Sequence, residues 1–217
     1  MIIKIIKIAV LFFFTISSVN ADNLSIFNFT KDELENLTVR KVRGADSKTI
    51  YKVGNNENGN YLKAIANNSG SGIGKEVKID LNKTPFINIT WKVEKDLKEI
   101  NEDTKKGHDF SARVFVIKKT GATALSNRAV NYVFSSNRNV GESWPSPYTK
   151  KSIDKVLSTT KENFNEWVTV KANVKEHFKK LHDLDVDTLN GIAIMTDTDQ
   201  TDIKAISYYQ NIFFSSE

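Results

Sequence analysis

Residues 87–93, INITWKV, carry the pattern that decides the fold. Their isoleucine, tryptophan and valine side chains occupy every second position, and asparagine, threonine and lysine lie between them. Because successive side chains of a strand point to opposite faces of a sheet, this period of two predicts a strand with one face in a core. Residues 110–116, FSARVFV, repeat the alternation, with Arg113 between apolar neighbours.

The same alternation recurs in short runs separated by turns rich in asparagine, glycine and aspartate. We predict about ten or eleven strands, which is the layout of an all-β sandwich. The predicted strands are residues 24–29, 37–42, 49–53, 61–66, 74–81, 87–93, 110–116, 129–135, 167–171, 191–196 and 204–214. Residues 173–182 depart from this pattern: Asn173 and Glu176 form a capping-box pair before an amphipathic run, which predicts one short helix.

The N-terminus has the three parts of a secretory signal peptide. Lys4 and Lys7 form a basic region, residues 8–16 are apolar, and Val19 and Ala21 are small residues at the −3 and −1 positions of a cleavage site. The apolar run is too short to span a bilayer, which takes about 20 residues. We therefore predict a signal peptide at residues 1–21, a single sandwich domain at residues 22–217, and a periplasmic or secreted protein without a membrane span after cleavage.

Charge and cysteine content exclude several classes of function. Removal of the signal peptide takes away two lysines and no acidic residue, so the formal net charge falls from +5 to +3. The remaining charges are interspersed, and together with export this argues against a nucleic-acid partner. The absence of cysteine excludes disulfides, thiolate metal sites and cysteine nucleophiles.

The glycine-rich residues 70–75, GSGIGK, look like a phosphate-binding loop but do not match one. Ser69 stands where the first glycine belongs, and Glu76 replaces the hydroxyl residue that binds magnesium. The segment also precedes a predicted strand, whereas a phosphate-binding loop opens a helix. We interpret these residues as a flexible turn.

A possible cation site lies where a buried strand runs into an acidic turn at Asp197 and Asp199. Two carboxylates two residues apart at the end of a strand point the same way, and closely placed oxygen ligands suit a hard cation, with calcium the candidate. The alternative is a plain turn, because aspartate hydrogen-bonds its own backbone. Arg113 needs a carboxylate partner on its half-buried strand, and Asp109, Asp197 and Asp199 are the candidates.

The aromatic residues divide by context. We interpret Trp91 and Trp167, which lie among apolar strand residues, as core. Trp144 and Tyr148 fall in a predicted loop, where an aromatic ring either packs over the end of the sandwich or stacks on a sugar ring or another planar partner. The candidate ligand-binding residues are Arg113, Tyr132, Trp144, Tyr148 and Tyr208.

Several segments resemble, in order and spacing, the bacterial domain-of-unknown-function family 3047 (DUF3047). They are residues 91–93, 108–116, 131–134, 146–148, Trp167, 191–199 and 205–213, and Met-Thr-Asp-Thr-Asp at 195–199 is the most specific part. The resemblance implies an exported protein. The last strand, with Tyr208 and Tyr209, is similar to the closing strand of jelly-roll carbohydrate-binding modules, which implies a jelly-roll or galactose-binding-like sandwich whose concave sheet holds sugar.

These features lead to one functional hypothesis and two alternatives. The leading one is a noncatalytic exported protein that binds a polysaccharide, a cell-envelope glycan or a similar polar ligand on one sheet face. The first alternative is a glycoside hydrolase or lyase using Asp197 and Asp199, although adjacent aspartates seldom straddle a glycosidic bond and no Gly-x-Ser-x-Gly motif is present. The second is a structural envelope protein that packs against a partner.

Overall fold

A computed structural model of the protein describes residues 23–217; the predicted signal peptide, residues 1–21, lies outside the described residues. The described chain is built from strands with three short α-helices between them. In chain order they are β1 (Asn23–Phe27), α1 (Lys31–Asn36), β2 (Thr38–Lys41), β3 (Ile50–Asn56), β4 (Gly59–Asn67), β5 (Gly70–Asp80), β6 (Phe86–Lys95), β7 (Ala112–Lys118), β8 (Arg128–Ser135), β9 (Ser143–Ser146), β10 (Thr149–Thr159), α2 (Thr160–Asn163), β11 (Val168–Asn173), α3 (Val174–His182), β12 (Thr188–Asp197) and β13 (Lys204–Ser215).

The strands form two sheets. Sheet I has six strands in the order β11-β6-β13-β4-β3, with β1 also paired to β13. Sheet II has seven strands in the order β2-β5-β12-β7-β8-β10-β9. The pairing of β8 with β10 is parallel, and the other pairings of these strands are antiparallel. The all-β sandwich predicted from the sequence is confirmed.

The core lies between the sheets and takes every second side chain from each of them. Sheet I contributes Trp91 and its apolar neighbours on β6, and sheet II contributes Val114 on β7 and Ile194 on β12, all of them buried. The indole nitrogen of Trp91 donates to Ser158 Oγ at 2.9 Å, so the largest core side chain keeps its polar atom satisfied. Trp91 is a core residue, as the sequence predicted.

Helix α3 closes this core at one end and begins as predicted. Asn173 is its N-cap, and the Asn173 side chain accepts a hydrogen bond from the backbone nitrogen of Glu176 at 3.1 Å. The apolar face buries Val174 and Phe178 in the core. The helix ends at Asp183, which adopts a left-handed conformation with φ of 50°.

The structure corrects two predictions about local structure. Residues 70–75, expected to be a flexible turn, are the first half of β5; the glycines suit this strand because β12 approaches closely, and a Cβ at Gly74 would lie 2.5 Å from Ile192 O. Residues 143–146 and 149–159, which the sequence left without strands, are β9 and β10. Trp144 therefore lies on an edge strand rather than in a loop.

Candidate functional site

Polar side chains of sheet II that do not face the core lie on the outer face of this sheet. In β7, Ala112 and Val114 are buried in the core, so Arg113 between them points to the outer face. The register continues this face across the sheet, with Arg113 beside Met195 of β12 and Val133 of β8. Most of the predicted site residues lie on this face: Arg113, Trp144, Tyr148, Asp197 and Asp199.

Arg113 has the carboxylate partner that its position predicted. Its Nη2 atom lies 2.5 Å from Asp197 Oδ2, and the two side chains are only 3% and 4% exposed. The guanidinium also lies 4.7 Å from the ring centre of Phe110 and 5.0 Å from that of Phe115. A buried, stacked ion pair of this kind holds the face together, and it is not open to a large ligand.

Two further carboxylates approach this ion pair. Oxygen atoms of Asp109, Asp197 and Asp199 all lie within 4.8 Å of one another. Asp109 accepts hydrogen bonds from the backbone nitrogens of Gln200 and Thr201, at 3.0 and 2.8 Å to Oδ2. Burial raises the pKa of Asp109, and burial raises the pKa of Asp197 above its ordinary value although the Arg113 guanidinium opposes this. The acidic turn predicted at the end of the strand thus lies beside a third carboxylate, that of Asp109.

A calcium ion at this position would need free oxygen atoms on these carboxylates. Asp197 is already held by Arg113 and by the backbone nitrogen of Phe110, and Asp109 is held by the turn at Thr201. Asp199 Oδ1 is buried without a hydrogen-bond partner among the described residues. Because Arg113 brings a positive charge where a cation would sit and only one oxygen is free, the group does not fit calcium.

A second buried polar network on this face was missed by the sequence analysis. His108 Nε2 lies 2.8 Å from Asp154 Oδ2, and Asn131 Nδ2 donates to Asp154 Oδ1 at 2.8 Å. The three side chains are all buried. The one signal in the sequence was Asn131, a polar residue inside the apolar run of β8.

The aromatic residues on this face differ in exposure. Trp144 is partly buried and stacks on Phe110 at 6.4 Å between ring centres. The Arg138 guanidinium lies 5.4 Å from the Trp144 ring centre, and Trp144 Nε1 is buried with no partner within residues 23–217. Tyr148 is 54% exposed, and its ring meets His108 edge-on at 5.5 Å.

Three aromatic residues lie elsewhere than the predictions placed them. Tyr132 points into the core, is fully buried and has its hydroxyl 3.1 Å from His177 Nδ1, so it is not available to a ligand on the sheet face. Tyr208 points outward from sheet I, on the opposite side of the sandwich from Arg113. Trp167, expected in the core, is half-buried beside Tyr208, with 5.9 Å between ring centres.

A groove of about 280 Å³ crosses the other half of the outer face of sheet II. Its floor is made of the small residues Gly72 and Gly74 on β5 and Gly191 and Ala193 on β12. Around this floor stand polar side chains that can hydrogen-bond to a ligand: Arg40, Glu76, Lys119, Asn127 and Asn190.

The polar groups of the groove are only partly engaged with one another. Lys119 Nζ donates to Glu76 Oε2 at 2.9 Å, and the Lys119 backbone nitrogen donates to Asn190 Oδ1 at 2.9 Å. Asn127 Oδ1 is buried and has no hydrogen-bond partner in the described part of the chain. A buried acceptor without a partner carries a desolvation cost that a ligand hydroxyl would relieve. None of the groove residues was among the predicted site residues.

Comparison with solved structures defines the class of fold. The structure is similar to the family 30 carbohydrate-binding module of the cellulosomal cellulase Cel9D-Cel44B of Clostridium thermocellum, with a TM-score of 0.52, 8% identity, and 90% of this chain and 98% of that chain covered. It is also similar to the family 11 carbohydrate-binding module of Clostridium thermocellum in complex with a β-1,3-1,4-mixed-linked tetrasaccharide (TM-score 0.48, 12% identity, coverage 91% and 96%). A further similar structure is a cellulase derived from Cel12A of Rhodothermus marinus (TM-score 0.47, 10% identity, coverage 89% and 94%).

The first of these similarities confirms the jelly-roll β-sandwich predicted from the sequence. Within this fold class, the chain belongs to the family described as protein of unknown function DUF3047, whose model matches residues 35–213. The sequence has no significant match among curated proteins. In residues 23–217, no helix has the length and apolar character needed to cross a membrane.

Proposed function

We propose that the protein is a noncatalytic glycan-binding module and that the groove on the outer face of sheet II is its binding site. The observation that carries the proposal is the groove itself: a floor of small residues surrounded by hydrogen-bonding side chains. A pyranose ring can lay its C–H face on such a floor while its hydroxyls reach the surrounding amide, guanidinium and carboxylate groups. The partnerless Asn127 Oδ1 offers an acceptor to one of those hydroxyls.

The fold supports this class of ligand without fixing it. The similar family 30 structure is a carbohydrate-binding module, but a shared fold does not set the function. The groove is therefore the stronger support, because its chemistry belongs to this chain. Tyr148, exposed on the same face, is a candidate for a more distant contact with a long polysaccharide.

The hydrolase alternative is less well supported by the geometry. Glycosidases hold two carboxyl groups on either side of the scissile bond, about 5 Å apart for retention and about 6.5–9.5 Å apart for inversion. Asp197 is instead buried in its ion pair with Arg113, and Asp199 lies beside it rather than across a groove. We expect no release of reducing sugar from any polysaccharide that the protein binds.

Calorimetric titration with soluble plant and cell-envelope polysaccharides tests the binding proposal. Arg40→Ala should weaken binding about ten-fold or more, because a hydrogen bond to a charged group contributes about 1.5–3 kcal/mol. Arg43→Ala is the matched control, since Arg43 is an exposed arginine of the following segment that does not line the groove. Equal affinities for the two variants would contradict the proposed site.

A second variant blocks the groove rather than removing a contact. A Cβ at Gly72 would lie 3.7 Å from Ile194 O and 3.9 Å from Met195 Sδ, which are ordinary contacts. Gly72→Leu should therefore fold and fill the floor, and binding should be lost. Binding that survives a folded Gly72→Leu variant would show that the glycan lies elsewhere.

We also propose that the protein is exported and acts in the periplasm or outside the cell, where glycan ligands occur. The support is the pattern of residues 1–21, which has a basic region, an apolar region and small residues before the cleavage point. Mass spectrometry of the protein expressed in a bacterial host should find Asp22 at the N-terminus. A chain recovered intact from Met1 in the cytoplasm would contradict export.

A further inference from the structure

The outer face of sheet I carries a cluster of aromatic and lysine side chains that the groove does not involve. Tyr61, Trp167 and Tyr208 lie within 5.5–6.1 Å of one another, measured between ring centres, and their rings are mutually tilted. Lys63 and Lys92 join them, and we call these five residues the lysine–aromatic cluster. Tyr61, Trp167 and both lysines are half-buried, so they retain solvent access.

Sheet pairing brings these residues together. Tyr208 of β13 lies between Lys63 of β4 and Lys92 of β6 in the register. Trp167 immediately precedes β11, whose first residue, Val168, pairs with Trp91, and this places the indole beside Lys92.

A glycine on β3 leaves room for the ring of Tyr61. The Tyr61 ring lies over Gly54 of β3, where a Cβ would come within 2.4 Å of the ring carbon Cζ. Gly54 therefore permits this position of Tyr61, and a larger residue would displace the ring from the cluster.

Both lysines direct their charge at the same ring. The Nζ atoms of Lys63 and Lys92 lie 4.9 and 4.7 Å from the ring centre of Tyr208, and Lys92 Nζ also lies 5.9 Å from that of Trp167. Neither lysine forms an ion pair with any residue in the range 23–217. Lys52, exposed on β3, lies opposite Lys63 in the register of the two strands and adds positive charge to the same face of the sheet.

An acidic side chain, that of Glu94, also lies beside this group. Glu94, two residues beyond Lys92 on β6, accepts a hydrogen bond from the Tyr208 hydroxyl. Hydrogen bonding to Tyr208 raises the pKa of Lys63, so this lysine stays charged at neutral pH. With Lys52, Lys63 and Lys92 against Glu94, the positive charge exceeds the negative, and the surface complements an anion.

We propose that the lysine–aromatic cluster is a second binding site, specific for an acidic polysaccharide bearing carboxylate or sulfate groups. The carboxylate or sulfate lies between the two ammonium groups above Tyr208, and the sugar ring packs its C–H face against Trp167 and Tyr61. Charge complementarity selects the anion, and the rings select a ligand with apolar faces. This site is on the opposite sheet from the groove and does not depend on glycan binding there.

Affinity electrophoresis with polygalacturonate, methyl-esterified polygalacturonate, dextran sulfate and neutral dextran tests the proposal. We expect retardation by polygalacturonate or dextran sulfate, at least about ten-fold weaker binding of the neutral polymers, and weakening by added salt. Equal retardation by esterified and acidic polygalacturonate would overturn the proposal. Equally tight binding of an oligo-dT strand would do so as well, because it would show a general polyanion surface.

The variant series separates this site from the groove. Lys63→Gln/Lys92→Gln should weaken binding of the acidic polymer about ten-fold or more, and Trp167→Ala should weaken it too. Lys171→Gln is the matched control, since Lys171 covers a lone ring, Phe86, at 5.1 Å on the same sheet. Arg40→Ala, which alters only the groove, should weaken acidic-polymer binding less than the double lysine variant does. A double lysine variant that unfolds like the native protein but binds equally well would overturn the site.

Discussion

The Arg113 guanidinium and the Asp197 carboxylate form a buried ion pair, 2.5 Å apart, on the outer face of sheet II. Phe110 and Phe115 flank the guanidinium, and Asp197 also accepts a hydrogen bond from the Phe110 backbone nitrogen at 3.2 Å. One carboxylate thus links β12 to β7 and to the segment before it. These bonds assign Asp197 an architectural role.

Removal of one partner from this pair should be costly. We expect Arg113→Met or Asp197→Leu to lower the free energy of unfolding by about 3–5 kcal/mol, because each leaves a buried charge without its partner. The double variant should lose less than the sum of the two single losses, since it removes both charges of the pair, although it leaves the Phe110 nitrogen unpartnered and Asp109 and Asp199 without the nearby guanidinium. Urea unfolding of the four proteins measures the coupling, and additive losses would contradict the ion pair.

Calcium should have little effect on the stability of this region. Arg113 already supplies positive charge to Asp197, and Asp109 is held by hydrogen bonds from Gln200 and Thr201. We expect the thermal unfolding midpoint of the protein to be the same, within about 1 °C, in millimolar calcium and in chelator. A rise of several degrees that disappears in Asp199→Ala would instead establish a cation site.

Two glycines of β5 should respond differently to the same substitution. A Cβ at Gly74 would lie 2.5 Å from Ile192 O and 2.7 Å from Ala193 Cβ, whereas at Gly72 the nearest atom is 3.7 Å away. Gly74→Ala should therefore destabilise the fold by about 1–3 kcal/mol, and Gly72→Ala should change stability by less than about 1 kcal/mol. Denaturant midpoints of the two variants provide the measurement, and equal midpoints would argue against the close approach of β12.

Periodicity predicted the elements whose two faces differ in polarity. Strand β6 alternates cleanly because the apolar side chains of residues 87–93 all lie on the core face, and α3 was predicted from its Asn173 cap. Strand β10 was missed because its outer face buries the polar Asp154 beside Val156 and its inner face carries Lys155 beside Ile153, so polarity does not alternate. Burial of polar side chains on the outer face of the sheet therefore removes the alternation by which β10 could have been predicted.

The order of the strands, more than the local sequence, determines which side chains become neighbours in a site. Arg113 and Asp197 were predicted because each stands out within its own strand. Tyr61, Lys92 and Tyr208 come from three strands, and only the order β6-β13-β4 makes them neighbours. Tyr132 was misplaced because the alternation of β8 does not show which of its two faces meets the core.

The contact between His177 and Tyr132 predicts a pH dependence of stability. The hydroxyl of Tyr132 lies 3.1 Å from His177 Nδ1, at the junction of α3 and β8. Burial, with Lys155 and Lys180 nearby, lowers the pKa of His177 to about 4, and burial raises that of Tyr132, so the neutral phenol donates to the neutral imidazole.

Protonation of His177 should therefore favour the unfolded chain, where the histidine pKa is near 6.5. The stability contributed by this group is present above about pH 6.5 and is lost as the pH falls towards 4. The loss stays below about 3 kcal/mol because the side chain is partly exposed. His177→Gln keeps an acceptor for Tyr132 without a titrating group, so its unfolding free energy should fall less than that of the native protein between pH 7 and 4.5. Titration of the His177 imidazole by NMR gives the direct measurement, and a midpoint near 6.5 would rule out this source of acid sensitivity.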